Sequence, residues 1–267
     1  MHIIVCIKQI IDPEVPFHLF RIDPVAKRQI QGAHPLVIST YDEVAVEVAL
    51  QLKEKVGGRV TALTLGKKEA LQALHQTLAM GADDAILLSD LHFEEMDSFG
   101  KARVLAAAVR KIGEFDLILC GRQAGDVELG LVGPFLAGEL GIPCVPLVAN
   151  FEVANGTVRM RRPVETGYEI LEAPFPLLAT ITNDTSNVPR YASVKGLRAA
   201  MRVPIPCWSS ADLGLSANAL GPKPLRIEID ELFIPHREMR CELIEGESGA
   251  EKARKLAERL KALGLIG

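Results

Sequence analysis

No apolar run in the 267-residue chain approaches the ~20 residues needed to span a bilayer. The opening M-H-I-I-V-C-I-K turns polar too soon for a secretory signal, so the expectation is a soluble, cytoplasmic protein with no direct membrane insertion. An excess of one charge is missing too: 30 Lys and Arg stand against 34 Asp and Glu, a net charge of −4 that advertises no nucleic-acid partner. The cysteines number five, Cys6, Cys120, Cys144, Cys207 and Cys241, with no C-x-x-C spacing. They predict reduced, mostly buried thiols and no zinc site. The six histidines, His2, His18, His34, His75, His92 and His236, form no H-E-x-x-H or other metal spacing. A G-x-S-x-G elbow is absent as well, which removes the usual serine hydrolases. Neither G-x-G-x-x-G nor G-x-x-x-x-G-K-[ST] occurs where it would mark a standard nucleotide fingerprint.

What the sequence does contain is centred on Asp116 to Gly133, D-L-I-L-C-G-R-Q-A-G-D-V-E-L-G-L-V-G. The apolar run Leu117 to Cys120 reads as a short buried strand, Gly121 stops it, and a glycine-bearing polar loop leads into an apolar-periodic helix from Leu131 to Leu140. Glycines let the backbone approach a phosphate, and a helix N-terminus beyond them offers unpaired N–H groups and partial positive charge. By itself the loop fits a phosphate cradle and an ordinary βα turn equally well.

Strand and helix patterns alternate before this stretch. Ile3 to Ile7 is a β-branched run ending at Lys8, and Phe20 to Ile30 suggests a small hairpin around Asp23-Pro24. Thr40-Tyr41-Asp42-Glu43 has the form of a capping box, ahead of a helical face of Val44, Val48 and Leu52. Then follow a strand from Val60 to Leu65 closed by Gly66, a helix from Glu69 to Met80, a strand from Ala85 to Leu88 and a helix from Phe99 to Ile112. Such alternation implies an α/β fold on a doubly wound parallel sheet, Rossmann-like and adenine-nucleotide-binding, with ligands at the carboxyl ends of the strands near a switch in strand order. The rule selects four loops: Cys6 to Lys8, Ser39 to Asp42, Leu65-Gly66, and Gly121 to Val132.

After Gly141 the texture changes. Leu147 to Val153 and Thr157 to Arg162 flank Asn155-Gly156, a hairpin signal, and Tyr168 to Leu171 adds a strand, so a β-hairpin addition is expected over 147–172. Leu177 to Ile181 is a further strand able to rejoin the sheet. Val188 to Pro206 is basic and proline-broken, which suits a solvated loop or a docking surface. Ser209 to Pro224 reads as an irregular linker, and Ser248 to Glu251 is a second capping box opening an amphipathic helix to Leu263. These features predict an α/β domain over 1–205 and a C-terminal arm over 206–267. Asp116, Asp126 and Glu128 are the one acidic set with a conceivable Mg²⁺ role, although carboxylates at loop starts more often cap helices or contact ribose.

Five motifs in order, I-V-C-I-K, Y-D-E-V-A-V-E-V-A-L, L-A-M-G-A-D, D-L-I-L-C-G-R-Q-A-G-D with V-G-P after it, and V-P-R-Y-A-S-V, make the chain resemble the β subunit of electron transfer flavoproteins over nearly its full length. The resemblance implies a heterodimer with an α subunit that holds most of the redox FAD, and electron transfer between an acyl-CoA-type dehydrogenase, or a quinone- or ferredoxin-linked oxidoreductase, and that flavin. The runner-up function is a stand-alone adenine-nucleotide sensor or adenylyl-transferring enzyme of similar topology.

Carried over by position, the family's β-subunit nucleotide site falls on Cys6, Ser39, Thr40, Tyr41, Asp42, Leu65, Gly66, Cys120, and the loop Gly121, Arg122, Gln123, Ala124, Gly125, Asp126, Gly130, Leu131, Val132 and Gly133. The loop and the helix after it would hold phosphate, Cys6 and Leu65-Gly66 would line adenine, and Asp126 would contact ribose. Pro13 and Tyr41 fall where the family's β subunit approaches the α-bound flavin; Tyr41 suits core filling equally. Pro189 to Val194 sits at the partner-recognition loop, which implies an exposed anchor at Val194 beside Arg190, Tyr191 and Lys195, and the 206–267 arm would dock on the α subunit. The β site holds AMP in one-flavin members and a second FAD, reduced by NADH, in electron-bifurcating ones. The G-R-Q-A-G-D loop ending at Pro134, the T-N-D-T-S-N run and the S-G-A-E-K-A-R-K-L helix resemble the bifurcating members.

Overall fold

The computed structural model describes residues 1–94, 96–154, 157–216, 226–235 and 241–267. Strand β1 (His2–Ile7) is the centre of a seven-stranded sheet with β6 (Arg59–Leu65), β7 (Asp84–Leu88), β8 (Leu117–Gly121), β9 (Cys144–Val148), β13 (Leu177–Ile181) and β14 (Cys207–Trp208). The order is β14-β7-β6-β1-β8-β13-β9, with every pairing parallel. The β-branched run at the start becomes the central strand because its period of two feeds both faces. Ile3, Val5 and Ile7 enter one apolar cluster, and Ile4 and Cys6 enter the other.

Each cluster is completed by its own helices. On the first face α1 (Thr40–Val56) contributes Val44, Val48 and Leu52, and α2 (Leu71–Met80) contributes Leu74. On the second, α3 (Ser98–Ile112) contributes Ala102, Leu105 and Val109, and α4 (Val132–Leu140) contributes Leu136. The chain therefore winds outward from β1 through β6 to β7, then crosses back along α3 to place β8 on the other side of β1. That return puts the switch in strand order between β1 and β8.

Several expected elements need revision. The stretch between β1 and α1 carries an antiparallel ladder of β2 (Gln9–Ile11) with β5 (Leu36–Ile38) that sequence periodicity did not signal. Three-residue strands leave too few alternations to read. The expected hairpin is present as β3 (Ile22–Asp23) and β4 (Arg28–Gln29), where the Asp23 carboxylate accepts the N–H groups of Val25 and Ala26 at 2.9 Å. The antiparallel addition is three strands, β10 (Asn150–Ala154), β11 (Thr157–Val164) and β12 (Gly167–Pro174). Asn155-Gly156 lies outside the described residues. The basic stretch read as a loop contains helix α5 (Val194–Ala200), started by the Ser193 hydroxyl accepting the Gly196 N–H at 3.0 Å. Seven residues with an internal glycine are too few for a periodic signal.

Two compact units emerge, Met1–Asp230 and Glu231–Gly267. The sequence boundary at 205 falls earlier because β14, within the supposed start of the arm, pairs with β7 through Cys207↔Leu87 and Trp208↔Leu88. In the second unit the C-terminal helix Gly249–Ala262 begins as expected. Ser248 Oγ accepts the Glu251 N–H at 3.2 Å, while the Glu251 carboxylate reaches back to the N–H of Glu247 rather than that of Ser248. Among the described residues no helix is long and apolar enough to cross a membrane. Cysteine burial is less general than expected: Cys6 and Cys120 are buried and Cys144 half-buried, whereas Cys207 and Cys241 are exposed, and all five are free thiols.

Candidate functional site

A cleft opens at the switch point, above the carboxyl ends of β1 and β8. Its volume is about 170 Å³, on the order of ten times what one ordered water needs. Eleven of the residues singled out in the sequence line it: Cys6, Asp42, Leu65, Cys120, Gly121, Arg122, Gln123, Ala124, Gly130, Leu131 and Val132. Ile7, Lys8, Ser98, Lys101, Leu105, Val127 and Leu129 complete the wall. Ser39, Thr40, Tyr41, Gly66, Gly125, Asp126, Gly133 and Pro13 are not on it.

The supports explain the shape. Ser39, fully buried, is the N-cap residue of α1, yet its hydroxyl does not cap the helix. It accepts the Gly125 N–H at 3.2 Å and so ties the glycine loop down. The capping box expected at Thr40 is therefore not formed, and Thr40 is exposed. Asp42 has also left the helix end to bridge the two central strands. Its carboxylate accepts the Lys8 N–H and the Gly121 N–H, each at 2.9 Å. Burial pushes its pKa up to about 7, against the downward pull of those two bonds and of the Lys8 charge.

Gly121 and Gly133 are glycines for close approach. A Cβ on Gly121 would stand 2.8 Å from the Asp42 nitrogen and the Tyr41 carbonyl carbon, and one on Gly133 would stand 2.8 Å from the Thr180 methyl. Gly130 serves the turn itself, with φ at +64°. Past it, α4 starts at Val132 with no side chain capping its N-terminus, which leaves the first N–H groups available to an anion.

The cations around the cleft are in different states. Lys8 Nζ pairs with Asp126 at 2.5 Å, so Asp126 is engaged by a lysine at the place where a ribose contact was expected. The Arg122 guanidinium lies 4.5 Å from the Tyr41 ring centroid, with its buried Nε unpaired among the described residues. Tyr41 is half-buried beneath it and is not core filling; Pro13 is exposed. Lys101, half-buried on the wall, has no ion pair or side-chain hydrogen bond among the described residues, and burial followed by repulsion from Lys8 lowers its pKa. Lys101 and Ser98 were not anticipated. The legible signal was a lysine four residues before Leu105, on the inward face of a helix that begins at a strand's carboxyl end.

The acidic set proposed for Mg²⁺ is not a cluster. Asp116 precedes β8 at the opposite end of the sheet and accepts the His2 N–H at 2.7 Å, while Asp126 and Glu128 follow the strand's carboxyl end. Among the described residues no group of three or more His, Cys, Asp and Glu is placed to hold a metal ion.

Residues 30–213 match the electron transfer flavoprotein domain. The chain belongs to the electron transfer flavoprotein family. It is 37% identical over 267 residues, all of both chains, to an electron transfer flavoprotein subunit beta of Thermoanaerobacterium thermosaccharolyticum. It is 35% identical over 267 residues, again all of both chains, to the caffeyl-CoA reductase-Etf complex subunit CarD of Acetobacterium woodii. Protein FixA of Azorhizobium caulinodans is 37% identical over 222 residues, 80% of this chain and 77% of that one.

Flavin involvement follows from the family, and the adenine-nucleotide fit can be tested on the cleft. Glycines at close approaches, an uncapped helix start, an orphaned Arg122 Nε and an unpaired Lys101 all fit a phosphate-bearing ligand. Cys6 and Cys120, in register on neighbouring strands, supply an apolar floor. The side-chain hydrogen bond that the Cys120 thiol shares with Cys6, together with burial, pushes that thiol well above its usual range and favours its protonated form.

The loop from Pro189 to Val194 is held from beneath. Arg190 spends its guanidinium on α1: Nε to Glu47 at 2.8 Å and Nη1 to Glu54 at 2.5 Å. Burial raises the Glu47 carboxyl, and the Arg190 and Gln51 hydrogen bonds more than reverse that. Clamped at this base, the loop presents Tyr191 wholly exposed, Val194 at 69% exposure and Lys195 beside it.

Proposed function

We propose that this chain is the β subunit of a heterodimeric, cytoplasmic electron transfer flavoprotein that passes electrons through an FAD held with an α subunit, and that its own cleft holds a second FAD. The observation that carries the reading is the switch-point cleft, lined by a glycine loop, the uncapped start of α4 and the ammonium-bearing Lys101. The Gly121 to Val132 loop and the α4 N-terminus would hold the phosphates, and Cys6 and Leu65 would line the adenine. Asp42 and Ser39 would keep the loop seated, and the Lys8–Asp126 pair would face the ribose. Bound FAD would supply hydride acceptance from NADH and one-electron transfer; the chain's residues contribute binding, orientation and exclusion of water. Pro13 and Tyr41 are the positions proposed to approach the α-bound flavin.

Extraction and chromatographic quantitation of nucleotide from the purified heterodimer tests this directly. Two FAD and no AMP per heterodimer is the expected result; one FAD with one AMP would remove the second flavin and the NADH-driven bifurcation it supports.

The electron partner is proposed to be an acyl-CoA-type dehydrogenase, a chemistry shared with relatives named for caffeyl-CoA and acryloyl-CoA reductases. Exposed Val194 and Tyr191 would anchor it, with Lys195 at the rim. Val194→Ala is expected to slow electron delivery about threefold to tenfold, the scale of one truncated anchor worth ~1 kcal/mol, with bound nucleotide unchanged. Identical rates across a range of acceptor concentrations would place docking elsewhere.

A further inference from the structure

The cleft holds two anion-seeking features on different elements. One is the start of α4, where no side chain caps the helix. The other is Lys101, one turn into α3, and the two helices lie against each other through Phe99 and Phe135, whose ring centroids are 5.6 Å apart edge to face. Lys8 differs from Lys101 in already having a counter-charge, Asp126 at 2.5 Å. Among the described residues Lys101 has neither an ion pair nor a side-chain hydrogen bond, although it is half-buried in the cleft wall with Ser98 and Leu105 on the same helix face. An ammonium drawn partly out of water without a partner is costly. The carboxylates near it are engaged elsewhere among the described residues: Asp42 on the wall by two backbone N–H groups, Asp126 beside the cleft by Lys8, and Asp97 by the N–H groups of Gly100, Arg226 and Ile227. The counter-charge has to arrive with the ligand.

We propose that Lys101 is a ligand-binding residue of this cleft that contacts the second phosphoryl group of a diphosphate-bearing adenine nucleotide, and that it sets a preference for diphosphate over monophosphate. The proposal rests on the adenine-nucleotide reading above and adds to it a named specificity residue. One phosphoryl group at the α4 start would leave Lys101 unpaired; a second phosphoryl group would supply its counter-charge. A charge-assisted hydrogen bond formed on binding, where no competing carboxylate is displaced, is worth about tenfold to a hundredfold in affinity.

The test is calorimetric titration of the full-length chain, freed of co-purified nucleotide, with adenosine, AMP and ADP as probes. The native chain is expected to bind ADP at least about tenfold more tightly than AMP. Lys101→Met, close in volume and able to pack beside Leu105, is expected to bring the two within about threefold while adenosine affinity stays unchanged. Lys101→Arg, which keeps the charge, is expected to keep most of the preference. An ADP-to-AMP ratio in Lys101→Met equal to that of the native chain overturns the proposal, and so does a parallel loss of adenosine binding, which would mark Lys101 as structural. A native chain that binds none of the three probes removes the adenine-nucleotide reading itself, an outcome distinct from native binding of ADP and AMP with equal affinity, which overturns only the role of Lys101.

Discussion

Gly121→Ala is expected to lower the melting temperature by roughly 10 °C and to weaken binding of the nucleotide proposed for the cleft. The added Cβ would meet the Asp42 nitrogen and the Tyr41 carbonyl carbon at 2.8 Å, and both are backbone atoms of the α1 start that cannot rotate aside. Relief requires α1 to lift from β8, which also loosens the Gly121 N–H from the Asp42 carboxylate. Overpacking costs about 1–3 kcal/mol and the weakened bond to a buried carboxylate about as much again. At ~2–4 °C per kcal/mol for a chain of this size, a loss of about 3 kcal/mol gives the stated shift. Gly138→Ala is the matched control, since a Cβ there meets nothing within 4 Å and alanine favours the α4 helix. Equal melting temperatures for Gly121→Ala and the native protein would show that α1 and β8 are not seated as described.

Asp42→Asn should separate from the native protein as pH rises. Burial lifts the folded pKa of Asp42 to about 7 from its ordinary 3.8, so in that window the folded chain holds a proton that the unfolded chain has lost. A raised value means stability that is complete below the unfolded pKa and is lost as pH climbs through the folded one. The native protein should therefore lose on the order of 1 kcal/mol per pH unit from this group between about pH 4 and about pH 7. Asparagine does not titrate; its amide oxygen can accept one of the two N–H groups and its NH2 cannot accept the other, a cost that does not vary with pH. Carboxyls held low by their hydrogen bonds, Asp23 and Asp184 among them, act at lower pH and are common to both proteins. Melting curves from about pH 5 to about pH 8 are expected to show the variant gaining on the native protein. Parallel curves would mean that the two N–H bonds, and not burial, dominate the charge on Asp42.

The parts of this architecture that repeat over many residues were legible, and the parts made by single contacts were not. The β-branched run at Ile3 and the Leu117 to Cys120 run each predicted a buried strand, and their loops converged on one cleft because strand ends in a doubly wound sheet must. The same reasoning put Asp42 at the cleft but missed what its carboxylate does. Its position at a helix start looked like part of a capping box, but the nearest unsatisfied N–H groups belonged to Lys8 and Gly121, 34 and 79 residues away in sequence. Asp116 failed similarly, since closeness in sequence to Asp126 concealed the length of β8 between them. Arg190 read as a basic loop residue, whereas the buried Glu47 on α1 required a partner and took its guanidinium. Lys101 was hidden inside an apolar-periodic helix whose pattern it hardly disturbs.

The order of strands also sets when the cleft can exist at all. Residues before α3 build β1, β6 and β7 with one face covered by α1 and α2, yet the β1 edge facing away from β6 stays open until β8 has been made and has crossed back. The cleft wall draws on positions from Cys6 to Val132, so a ribosome must deliver nearly half of the chain before any complete wall forms. Pairings of such wide sequence separation are slow and leave strand edges uncovered in the meantime. A ligand of the cleft cannot template the early sheet; it acts by mass action on the closed one, drawing the late return of β8 to completion.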